Sequence, residues 1–491
     1  MKKCSLKSLG NLLSGITGFE FKGPVDKTID GFEFDSRLAK KGIVFVARKG
    51  IHLDGHDFIE SAIHQGSEVI ICEQFPSNCY ETVCYIKANS LPELLGEMMH
   101  KFYDFQLKGI QLVGVTGTNG KTTVASLLFQ LFSKLGYKCG LLSTVENIII
   151  DEIIPATHTT PDQIKLYELL NKMVQKQVTY VFMEVSSHAL DQGRVAGLNF
   201  SAGLFTNITH DHLDYHKTFK AYLEAKKSFF DLLPANSFAI INADDPNGRV
   251  MVQNTKAKIV TYSLSSMSDY KARILENGFD GLHLKFNDKE WNARLVGEFN
   301  AYNLLCVYAC ALEFGFESEE ILLKMSELYA PQGRLDWVRN QQSGKIGIVD
   351  YAHTPDALEK ILKTVKSIRK PFQKIITVVG CGGDRDTEKR PQMGRIASVE
   401  SDLLILTSDN PRSEDPDQII KQMEAGIPEN RKMNYLIIED RSQAIKTACS
   451  LSALDDIILV AGKGHENYQE IKGKKFAFDD KQILKTYLLN L

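Results

Sequence analysis

Short apolar runs alternate with helical patterns along most of the chain, which predicts mostly parallel sheets covered by helices on both faces. The predicted strands in the first half are IVFVA (43–47), EVIICE (68–73), IQLVGV (110–115), YVFMEV (180–185), AGLFTNI (202–208) and FAIINAD (238–244), and the predicted helices are DFIESAIHQG (57–66) and TTVASLLFQLFSKLG (122–136). The stretch LHLKFNDKEWNARLVG (282–297) alternates instead across a turn near Asn287-Asp288, which predicts a hairpin.

The last third of the chain repeats the strand pattern, and three of its strands run into polar loops. The predicted strands are KIGIVDY (345–351), KIITVVG (374–380), DLLILTS (402–408) and DIILVAG (456–462), and the loops are CGGDRD, DNPRSE and GKGHEN. Ligands of open parallel sheets bind beyond the carboxyl ends of the strands, so we expect these loops to line one crevice. Pro411 blocks a helix and favours extended backbone at Asn410, which predicts a rigid, exposed loop.

Length and composition indicate an ordinary globular α/β protein. The 491 residues predict about three domains of roughly 150 residues, which we place at 1–100, 101–331 and 332–491. No run approaches the roughly 18 apolar residues of a membrane span, and the N-terminus lacks the continuous apolar stretch of a signal peptide. Lys plus Arg total 58 against 61 Asp plus Glu, which argues against a nucleic-acid binder. Nine cysteines without a CxxC pair are typical of a reducing compartment, so we expect a cytoplasmic protein. We also expect a monomer.

The stretch GVTGTNGKTT (114–123) follows a predicted strand and opens a predicted helix, which is the setting of a phosphate-binding loop. Glycines let backbone N–H groups turn toward an anion, Lys121 can reach the β- and γ-phosphates, and Thr122 offers a hydroxyl to Mg²⁺. The spacing departs from the usual pattern, since Val115 stands where a glycine is expected.

Two further segments carry groups that could bind a metal ion. Glu184, in FMEVSSHALDQGR (182–194), ends a predicted strand with a carboxylate suited to magnesium. TNITHDHLDYH (206–216) places His210, His212 and His216 among acidic residues. Zinc coordination is one interpretation, although the spacing is not that of a known zinc motif, and structural hydrogen bonding is the other.

Taken in order, the motifs GVTGTNGKTT, EVSSHAL, TNITHDHLDYH, GEFNAYN (297–303), GRLD (333–336) and DYAHTPD (350–356) resemble those of the Mur ligase family, including its shifted glycine spacing. The resemblance covers essentially the whole chain. It implies three α/β domains: a small UDP-binding N-terminal domain, a central ATPase with a mostly parallel sheet, and a C-terminal domain with a dinucleotide-binding-like sheet. DSR (35–37) and YLEAKKSFF (222–230) are similar to the members that add the third residue of the muramoyl peptide.

The resemblance also implies the chemistry and the residues that serve it. A carboxylate of UDP-MurNAc-L-Ala-D-Glu would attack ATP to give an acyl phosphate, and the amine of an amino acid would then displace phosphate, with ATP and Mg²⁺ as cofactors. Lys226 is on composition a solvated helix lysine, whereas the matching family residue is carbamylated and binds the metal.

The implied catalytic residues are Lys121, Lys226 and His212, and the implied metal ligands are Thr122, Glu184, His212 and carbamylated Lys226. ATP contacts would come from Gly117, Thr118, Asn119, Gly120, Lys121, Thr122, Thr123, Asn300 and Arg334, with Asp350 and His353 nearby. The UDP-muramoyl dipeptide would be held by Ser36, Thr159, Thr160, Ser186, Gln192 and Arg194.

The incoming amino acid is implied by the DNPR loop, a form associated in the family with meso-diaminopimelate. L-Lysine lacks the distal carboxylate of diaminopimelate, and the paired donors of a guanidinium are suited to grip that carboxylate. The implied amino-acid-binding residues are Arg385, Asp409, Asn410, Pro411, Arg412, Gly462 and Glu466. An L-lysine-adding enzyme, a ligase similar to folylpolyglutamate synthetase and a nucleotide-binding regulatory module without catalysis remain as alternatives.

Overall fold

A computed structural model describes residues 7–50, 53–104 and 109–489. The chain divides into two compact units, one formed by Met1–Gly114 with Tyr137–Ser201 and the other by Val115–Gly136 with Ala202–Leu491. Within the described ranges, no helix is long and apolar enough to cross a membrane.

The first unit begins with a small α/β sheet. Its elements are β1 (Lys7–Ser8), α1 (Leu9–Leu13), β2 (Phe19–Lys22), β3 (Thr28–Ile29), β4 (Gly31–Glu33), β5 (Ile43–Val46), α2 (Ile59–His64), β6 (Val69–Cys72), β7 (Cys84–Ala88) and α3 (Leu91–Phe102). The main sheet has the order β2-β7-β6-β5-β4, and it is parallel except for β2. The predicted strand–helix–strand pattern is confirmed here, with a 3₁₀ turn at Gly55–Phe58 preceding the helix.

The chain then runs through β8 (Gln111–Thr116), α4 (Lys121–Lys134), β9 (Cys139–Leu142), β10 (Glu146–Ile149), β11 (Glu152–Pro155), α5 (Gln163–Gln175), β12 (Tyr180–Glu184) and α6 (Ser187–Asp191). Helix α4 belongs to the second unit, and the elements from β9 to α6 belong to the first. In the first unit, β12 and β9 are parallel, whereas β10 pairs antiparallel with both β9 and β11.

The second unit continues with β13 (Ala202–Phe205), α7 (Leu213–His216), α8 (Phe219–Asp231), β14 (Phe238–Asn242), α9 (Gly248–Met251), β15 (Lys258–Ser263), β16 (Tyr270–Gly278), β17 (Gly281–Phe286), β18 (Lys289–Ala293), α10 (Glu298–Glu313) and α11 (Ser318–Met325). Strands β13 to β16 are parallel neighbours. Strands β16, β17 and β18 form an antiparallel meander, which confirms the predicted hairpin and its turn beside Asn287.

The rest of the second unit comprises β19 (Asp336–Arg339), β20 (Ile346–Asp350), α12 (Pro355–Ile368), β21 (Ile375–Val379), α13 (Lys389–Glu400), β22 (Leu403–Leu406), α14 (Pro416–Glu424), β23 (Tyr435–Ile437), α15 (Arg441–Leu451), β24 (Ile457–Ala461), β25 (Tyr468–Ile471), β26 (Lys474–Ala477) and α16 (Asp480–Leu489). The six-stranded sheet has the order β19-β20-β24-β21-β22-β23 and is parallel except at β19.

Two apolar clusters bury the faces of this six-stranded sheet. One cluster packs residues of α12, α13 and α14 against one face, and the other packs α15 and α16 against the opposite face. A buried ion pair joins α15 to α16, since Arg441 donates two hydrogen bonds to the Asp480 carboxylate at 2.8 and 2.7 Å and both side chains are fully buried. Because β21, β22 and β24 are parallel neighbours, the three polar loops that follow them leave the sheet at one edge, as predicted.

Candidate active site

The glycine-rich loop between β8 and α4 is braced by the segment that follows β13. Gly117 has φ of 148°, and a Cβ at this position would lie 2.0 Å from Thr206 Oγ1. Thr206 Oγ1 donates to the Asn119 carbonyl at 2.6 Å, Thr118 N donates to the Asn207 carbonyl at 2.7 Å, and Asn119 N donates to Asn207 Oδ1 at 3.1 Å. Thr206 and Asn207 therefore shape the phosphate loop, a role that the sequence analysis did not assign.

Lys121 lies in the first turn of α4, above the loop. Gly120 precedes the helix with a left-handed φ of 86°. Lys121 Nζ donates to the carbonyls of Gly117 at 3.0 Å and Thr118 at 2.8 Å. The ammonium group is thus held over the concave loop, where backbone amides and the helix N-terminus favour a phosphate.

Thr122 and Thr123 are buried in the same turn, and Thr122 contacts the start of the last third of the chain. Arg334 Nη2 donates to Thr122 Oγ1 at 3.3 Å, and the guanidinium lies over the Tyr351 ring at 4.6 Å. The Arg334 Nε is buried without a hydrogen-bond partner among the described residues. A buried guanidinium N–H without a partner favours an acceptor from a ligand, which agrees with the predicted nucleotide contact.

The phosphate loop is also tied to the start of α12. Asp356 Oδ2 accepts from Asn119 Nδ2 and Thr209 Oγ1, each at 3.1 Å. Asn300, by contrast, makes local hydrogen bonds, since Nδ2 donates to the Val296 carbonyl just before α10 at 2.8 Å and Oδ1 accepts from Asn303 Nδ2 at 3.0 Å. Its contact with a nucleotide stays a prediction.

Lys226 is fully buried, so the interpretation from composition as a solvated lysine was wrong. It lies on the buried face of α8 with Tyr222, one helical turn earlier, and its Nζ lies 4.6 Å from the centre of that ring. Lys226 Nζ donates to the Gly117 carbonyl at 2.7 Å. Burial, and then the nearby charge of Lys121, lower the pKa of Lys226 well below its usual 10.5. The site therefore favours the neutral amine, which is the nucleophilic form of a lysine.

His212 precedes α7 in a left-handed conformation with φ of 54°, and its ring nitrogen lies 3.6 Å from the Asp211 carboxylate. The buried His216 ring lies 5.3 Å from the Tyr222 ring. Across the described part of the chain, no group of three or more His, Cys, Asp or Glu side chains could hold a metal ion, so the zinc interpretation gains no support. His212, Thr122 and Lys226 lie in the second unit and Glu184 in the first, and the magnesium ligand set stays a prediction.

Most residues predicted to hold the peptide end of the substrate form one cluster in the first unit. Thr160 Oγ1 donates to the Glu184 carbonyl at 2.8 Å and accepts from Ser186 N at 3.1 Å. Arg194 Nη1 donates to the Thr160 carbonyl at 2.7 Å, while Arg194 Nε and Nη2 hold the Gln192 amide oxygen at 3.0 and 2.8 Å. The structure thus places these residues together at the carboxyl end of β12.

Glu184 ends that strand and is 1% exposed. Its Oε1 accepts from Thr144 N at 2.7 Å, whereas its Oε2 is buried without a hydrogen-bond partner among the described residues. A bare, buried carboxylate oxygen is suited to a hard cation. Thr159 joins the cluster through Thr144 Oγ1 at 3.1 Å, but no hydrogen bond between described residues connects Ser36 to it.

The DNPR loop is buried, which corrects the expectation of an exposed loop. Asp409 and Asn410 are 7% and 2% exposed, and Arg412 is half-buried. The loop is covered by the hairpin of β25 and β26, where Gln469 Nε2 donates to the Asp409 carbonyl at 2.7 Å and Glu470 N donates to Asn410 Oδ1 at 2.9 Å. The sequence analysis did not assign this hairpin to the site.

Arg412 has a left-handed backbone with φ of 52°, which is unfavourable for a residue with a side chain. The hairpin maintains it, since Arg412 N donates to the Glu470 carbonyl at 3.0 Å and the Arg412 carbonyl accepts from Lys472 N at 2.6 Å. Arg412 Nη1 donates to the Gly383 carbonyl at 2.7 Å, and Nε lies 3.6 Å from Glu470 Oε2. The guanidinium is therefore aimed by its own backbone and by two neighbouring loops.

The other predicted amino-acid contacts meet around this loop, with one exception. A Cβ on Gly462, whose φ is 119°, would lie 2.6 Å from Asp409 Oδ2, so only glycine fits beside that carboxylate. Glu466 Oε2 accepts from Asn410 Nδ2 at 2.7 Å. Arg385 is exposed on its loop, and its contact with the amino acid stays a prediction.

A buried arginine that the sequence analysis missed joins two of the polar loops. Arg390 is fully buried on α13, and its Nη1 and Nη2 both lie 2.8 Å from the Glu414 carboxylate, which follows the DNPR loop. Arg390 Nη2 also donates to the Gly382 carbonyl at 3.2 Å. This bidentate pair holds the CGGDRD and DNPRSE loops together.

Three family models match the chain: "Mur ligase family, catalytic domain" at residues 28–103, "Mur ligase middle domain" at 115–311, and "Mur ligase, glutamate ligase domain" at 333–464. A UDP-N-acetylmuramoyl-L-alanyl-D-glutamate–2,6-diaminopimelate ligase of Phocaeicola vulgatus is 50% identical over 98% of this chain and 99% of its own. The protein of the same name from Clostridium perfringens is 38% identical over 97% and 98%.

Solved structures agree with these matches. A UDP-N-acetylmuramoyl-L-alanyl-D-glutamate–2,6-diaminopimelate ligase structure, 32% identical, covers 98% of this chain and 99% of its own with a TM-score of 0.70. A Mycobacterium tuberculosis folylpolyglutamate synthase complexed with ADP and AMPPCP, 16% identical, covers 74% and 91% with a TM-score of 0.60, and shares the fold. The chain belongs to the Mur ligase family, and the predicted three-domain α/β fold is confirmed. The boundaries near 100 and 331 stay predictions.

Proposed function

We propose that this Mur ligase adds meso-diaminopimelate to UDP-N-acetylmuramoyl-L-alanyl-D-glutamate, here called the UDP-muramoyl dipeptide, at the expense of ATP. The observation that carries the proposal is the full-length, 50% identity to relatives that bear the name of this reaction. The DNPR loop, buried and hydrogen-bonded to the β25–β26 hairpin, supports it.

The first half of the reaction activates the dipeptide. Its free side-chain carboxylate attacks the γ-phosphorus of ATP, the bond from that phosphorus to the bridging oxygen breaks, and the products are an acyl phosphate and ADP. Phosphoryl transfer of this kind requires positioning and neutralisation of charge more than a protein nucleophile. The phosphate loop supplies backbone amides, Lys121 supplies a cation over the loop, and Arg334 supplies a second cation beside Thr122.

The second half forms the amide bond. The amine of diaminopimelate attacks the acyl carbon, and inorganic phosphate leaves from the tetrahedral intermediate. The residues that bind the amino acid orient it, so that its amine lies close to the acyl carbon of the acyl phosphate. The predicted set is Asp409, Asn410, Pro411, Arg412, Gly462 and Glu466, together with Arg385.

Mg²⁺ would supply charge neutralisation at the ATP phosphates, with Thr122, Glu184, His212 and carbamylated Lys226 as its proposed ligands. Two features of these residues fit that role. Glu184 Oε2 is a bare buried carboxylate oxygen, and Lys226 is a buried amine with a lowered pKa. A neutral amine can attack CO₂, and the carbamate that forms carries oxygen ligands suited to a hard cation.

The UDP-muramoyl dipeptide is proposed to bind through Thr159, Thr160, Ser186, Gln192 and Arg194 at its peptide end and through Ser36 near its nucleotide. Arg194 keeps a guanidinium at the carboxyl end of β12, where the peptide carboxylate would be paired. We further propose a cytoplasmic enzyme, because nine cysteines without a CxxC pair are typical of a reducing compartment. We also propose that it acts as a monomer.

Phosphate release from ATP tests the proposal, with the UDP-muramoyl dipeptide and either meso-diaminopimelate or L-lysine as the acceptor. We expect turnover that needs both the dipeptide and an amino acid, and a strong preference for diaminopimelate. A preference for L-lysine would replace the proposed substrate by the alternative one. Binding of ATP without turnover under any combination would favour a regulatory module that has lost catalysis.

A further inference from the structure

A buried lysine joins the two loops of the proposed amino-acid site. Lys463, in the GKGHEN loop after β24, has no exposed surface. Its Nζ donates to Asn410 Oδ1 at 3.0 Å and to Glu466 Oε2 at 3.2 Å. The Tyr468 ring completes the enclosure, with its centre 5.6 Å from the ammonium. A buried ammonium fixes any group that pairs with it, because separating the two would leave an uncompensated charge out of water.

Lys463 helps to fix the orientation of the Asn410 amide. Its Oδ1 accepts from both Lys463 Nζ and Glu470 N, and its Nδ2 donates to Glu466 Oε2. The flipped amide would direct its NH₂ group at an ammonium and a backbone N–H, and its oxygen at a carboxylate. The hydrogen-bond network therefore permits one orientation. One amide N–H of Asn410 is left without a partner among the described residues, and it can only donate.

Lys463 also pairs with Glu466. Its Oε2 accepts from Asn410 Nδ2 and from Lys463 Nζ, whereas its Oε1 makes no hydrogen bond to any described residue. Glu466 therefore offers an acceptor to a ligand, while Asn410 beside it offers a donor. Lys463 touches both side chains and sets both roles.

We infer that Lys463 is a positioning residue that gives the amino-acid pocket its polarity, with Asn410 presented as a donor and Glu466 as an acceptor. A ligand that carries a carboxylate next to an ammonium group matches that pair, and the distal end of diaminopimelate is such a group. The inference rests on the proposed function. It extends that function, because Lys463 would help to select the distal group of diaminopimelate without contacting it.

Two analogues of diaminopimelate each lack half of this distal group. L-Lysine has the distal ammonium without the carboxylate, and 2-aminopimelate has the distal carboxylate without the ammonium. A pocket of fixed polarity rejects both, because each leaves one buried polar group of the protein unpaired. A pocket in which the Asn410 amide can flip would discriminate less against both analogues.

The test is the substitution Lys463→Met, which keeps an unbranched side chain of similar length and removes the charge and the donors. The matched control is Lys475→Met on β26, where an exposed lysine lies over the same Tyr468 ring at 4.1 Å. For both variants, kcat and KM are measured with diaminopimelate, L-lysine and 2-aminopimelate, alongside KM for ATP and for the dipeptide. Asn410→Ala and the double substitution with Lys463→Met complete a cycle.

We expect Lys463→Met to raise KM for diaminopimelate on the order of 10²-fold, as for other small displacements of a binding group, while KM for ATP stays near the parent value. The preference for diaminopimelate over both analogues should shrink, and the double substitution should be no worse than Asn410→Ala. The control should match the parent. Lys463→Gln, which keeps a neutral donor, replaces Lys463→Met if the latter does not fold.

An unchanged preference for diaminopimelate in a folded Lys463 variant would overturn the inference, as would losses that simply add in the cycle. A uniform fall of kcat with every acceptor, in proportion to lost folded protein, would reduce Lys463 to a structural residue. A parent enzyme without preference for diaminopimelate would instead overturn the proposed function, and the inference with it. The parent and variant measurements thus separate the two failures.

Discussion

Replacement of Arg412 tests whether this residue binds the distal carboxylate of diaminopimelate. The guanidinium makes one hydrogen bond to the protein, from Nη1 to the Gly383 carbonyl, and its Nη2 makes none to any described residue. The Arg412 Nε lies 3.6 Å from Glu470 Oε2, which is beyond ordinary hydrogen-bond distance. A substrate carboxylate can therefore accept one or two charge-assisted hydrogen bonds from Arg412.

The size of the effect follows from those bonds. Each charge-assisted hydrogen bond contributes about 1.5–3 kcal/mol, and about 1.4 kcal/mol corresponds to a factor of ten. With one or two such bonds lost, Arg412→Ala should lower kcat/KM for diaminopimelate by roughly 10- to 10⁴-fold. L-Lysine lacks the distal carboxylate, so its kcat/KM should fall much less. The preference for diaminopimelate over L-lysine should therefore become smaller. A full reversal is not expected, because Arg385 and the rest of the pocket remain.

The left-handed backbone of Arg412 supplies a control within the same position. Arg412→Gly removes the same side chain but relieves the left-handed strain, so it should be more stable than Arg412→Ala by about 1 kcal/mol. Both variants should show the same loss with diaminopimelate, measured as kcat/KM by phosphate release and set against stability from urea unfolding. Equal losses with both amino acids, or a loss that follows stability, would show that Arg412 does not contact the carboxylate.

Four further outcomes follow from Lys121, Lys226 and the buried Arg441–Asp480 pair. Lys121→Ala should lower the rate of acyl-phosphate formation on the order of 10²- to 10³-fold or more, since charge on the transferring phosphate is left uncompensated; a rapid-quench assay that found near-parental rates would remove GTNGKTT from the reaction. Lys226→Met should abolish ligation while ATP still binds, and ¹³C-bicarbonate should give a carbamate signal in the parent alone; full activity of unmodified protein in bicarbonate-free buffer would exclude the carbamate. The pKa of Lys226 is lowered in the folded protein and near 10.5 in the unfolded chain, so between these two values only the unfolded chain binds the proton. The free energy of unfolding of CO₂-free parent protein should therefore rise with pH across that window. The Lys226→Met variant should lack this rise. Asp480→Asn should cost about 3–5 kcal/mol in urea unfolding, because it leaves the buried Arg441 charge unpaired, and Arg441→Met with Asp480→Leu should recover most of that loss.

The positions of the strands along the chain and of the phosphate loop were predictable because each depends on local pattern, whereas the order of the strands in the sheets was not predicted. Apolar runs bounded by glycine-bearing loops located the strands, and a strand that precedes GTNGKT indicated the loop and its helix. The DNPR loop was placed at the correct edge of the sheet for the same reason, since parallel strands direct their carboxyl ends to one side.

The errors arose where burial depends on distant segments. Lys226 reads as a surface lysine beside Lys227, and only its position one turn after Tyr222 hinted at a buried face. The DNPR loop reads as exposed because the hairpin that covers it comes more than 50 residues later. Lys463 lies in a motif that had already been noted, but its pairing with Asn410 depends on the three-dimensional approach of two loops. No local pattern encodes such an approach.

The order of the six-stranded sheet has a consequence for synthesis of the chain. Strand β24 lies between β20 and β21, although it is made after β21, β22 and β23. Until residue 461 has left the ribosome, β20 and β21 have no strand between them and expose the backbone groups that β24 will satisfy. The last strand to be synthesised in this sheet therefore closes its middle, and it carries the GKGHEN loop with it. Nascent chains that stop short of β24 would have an open sheet edge and no amino-acid pocket, so closure of this sheet must precede completion of the pocket by the β25–β26 hairpin.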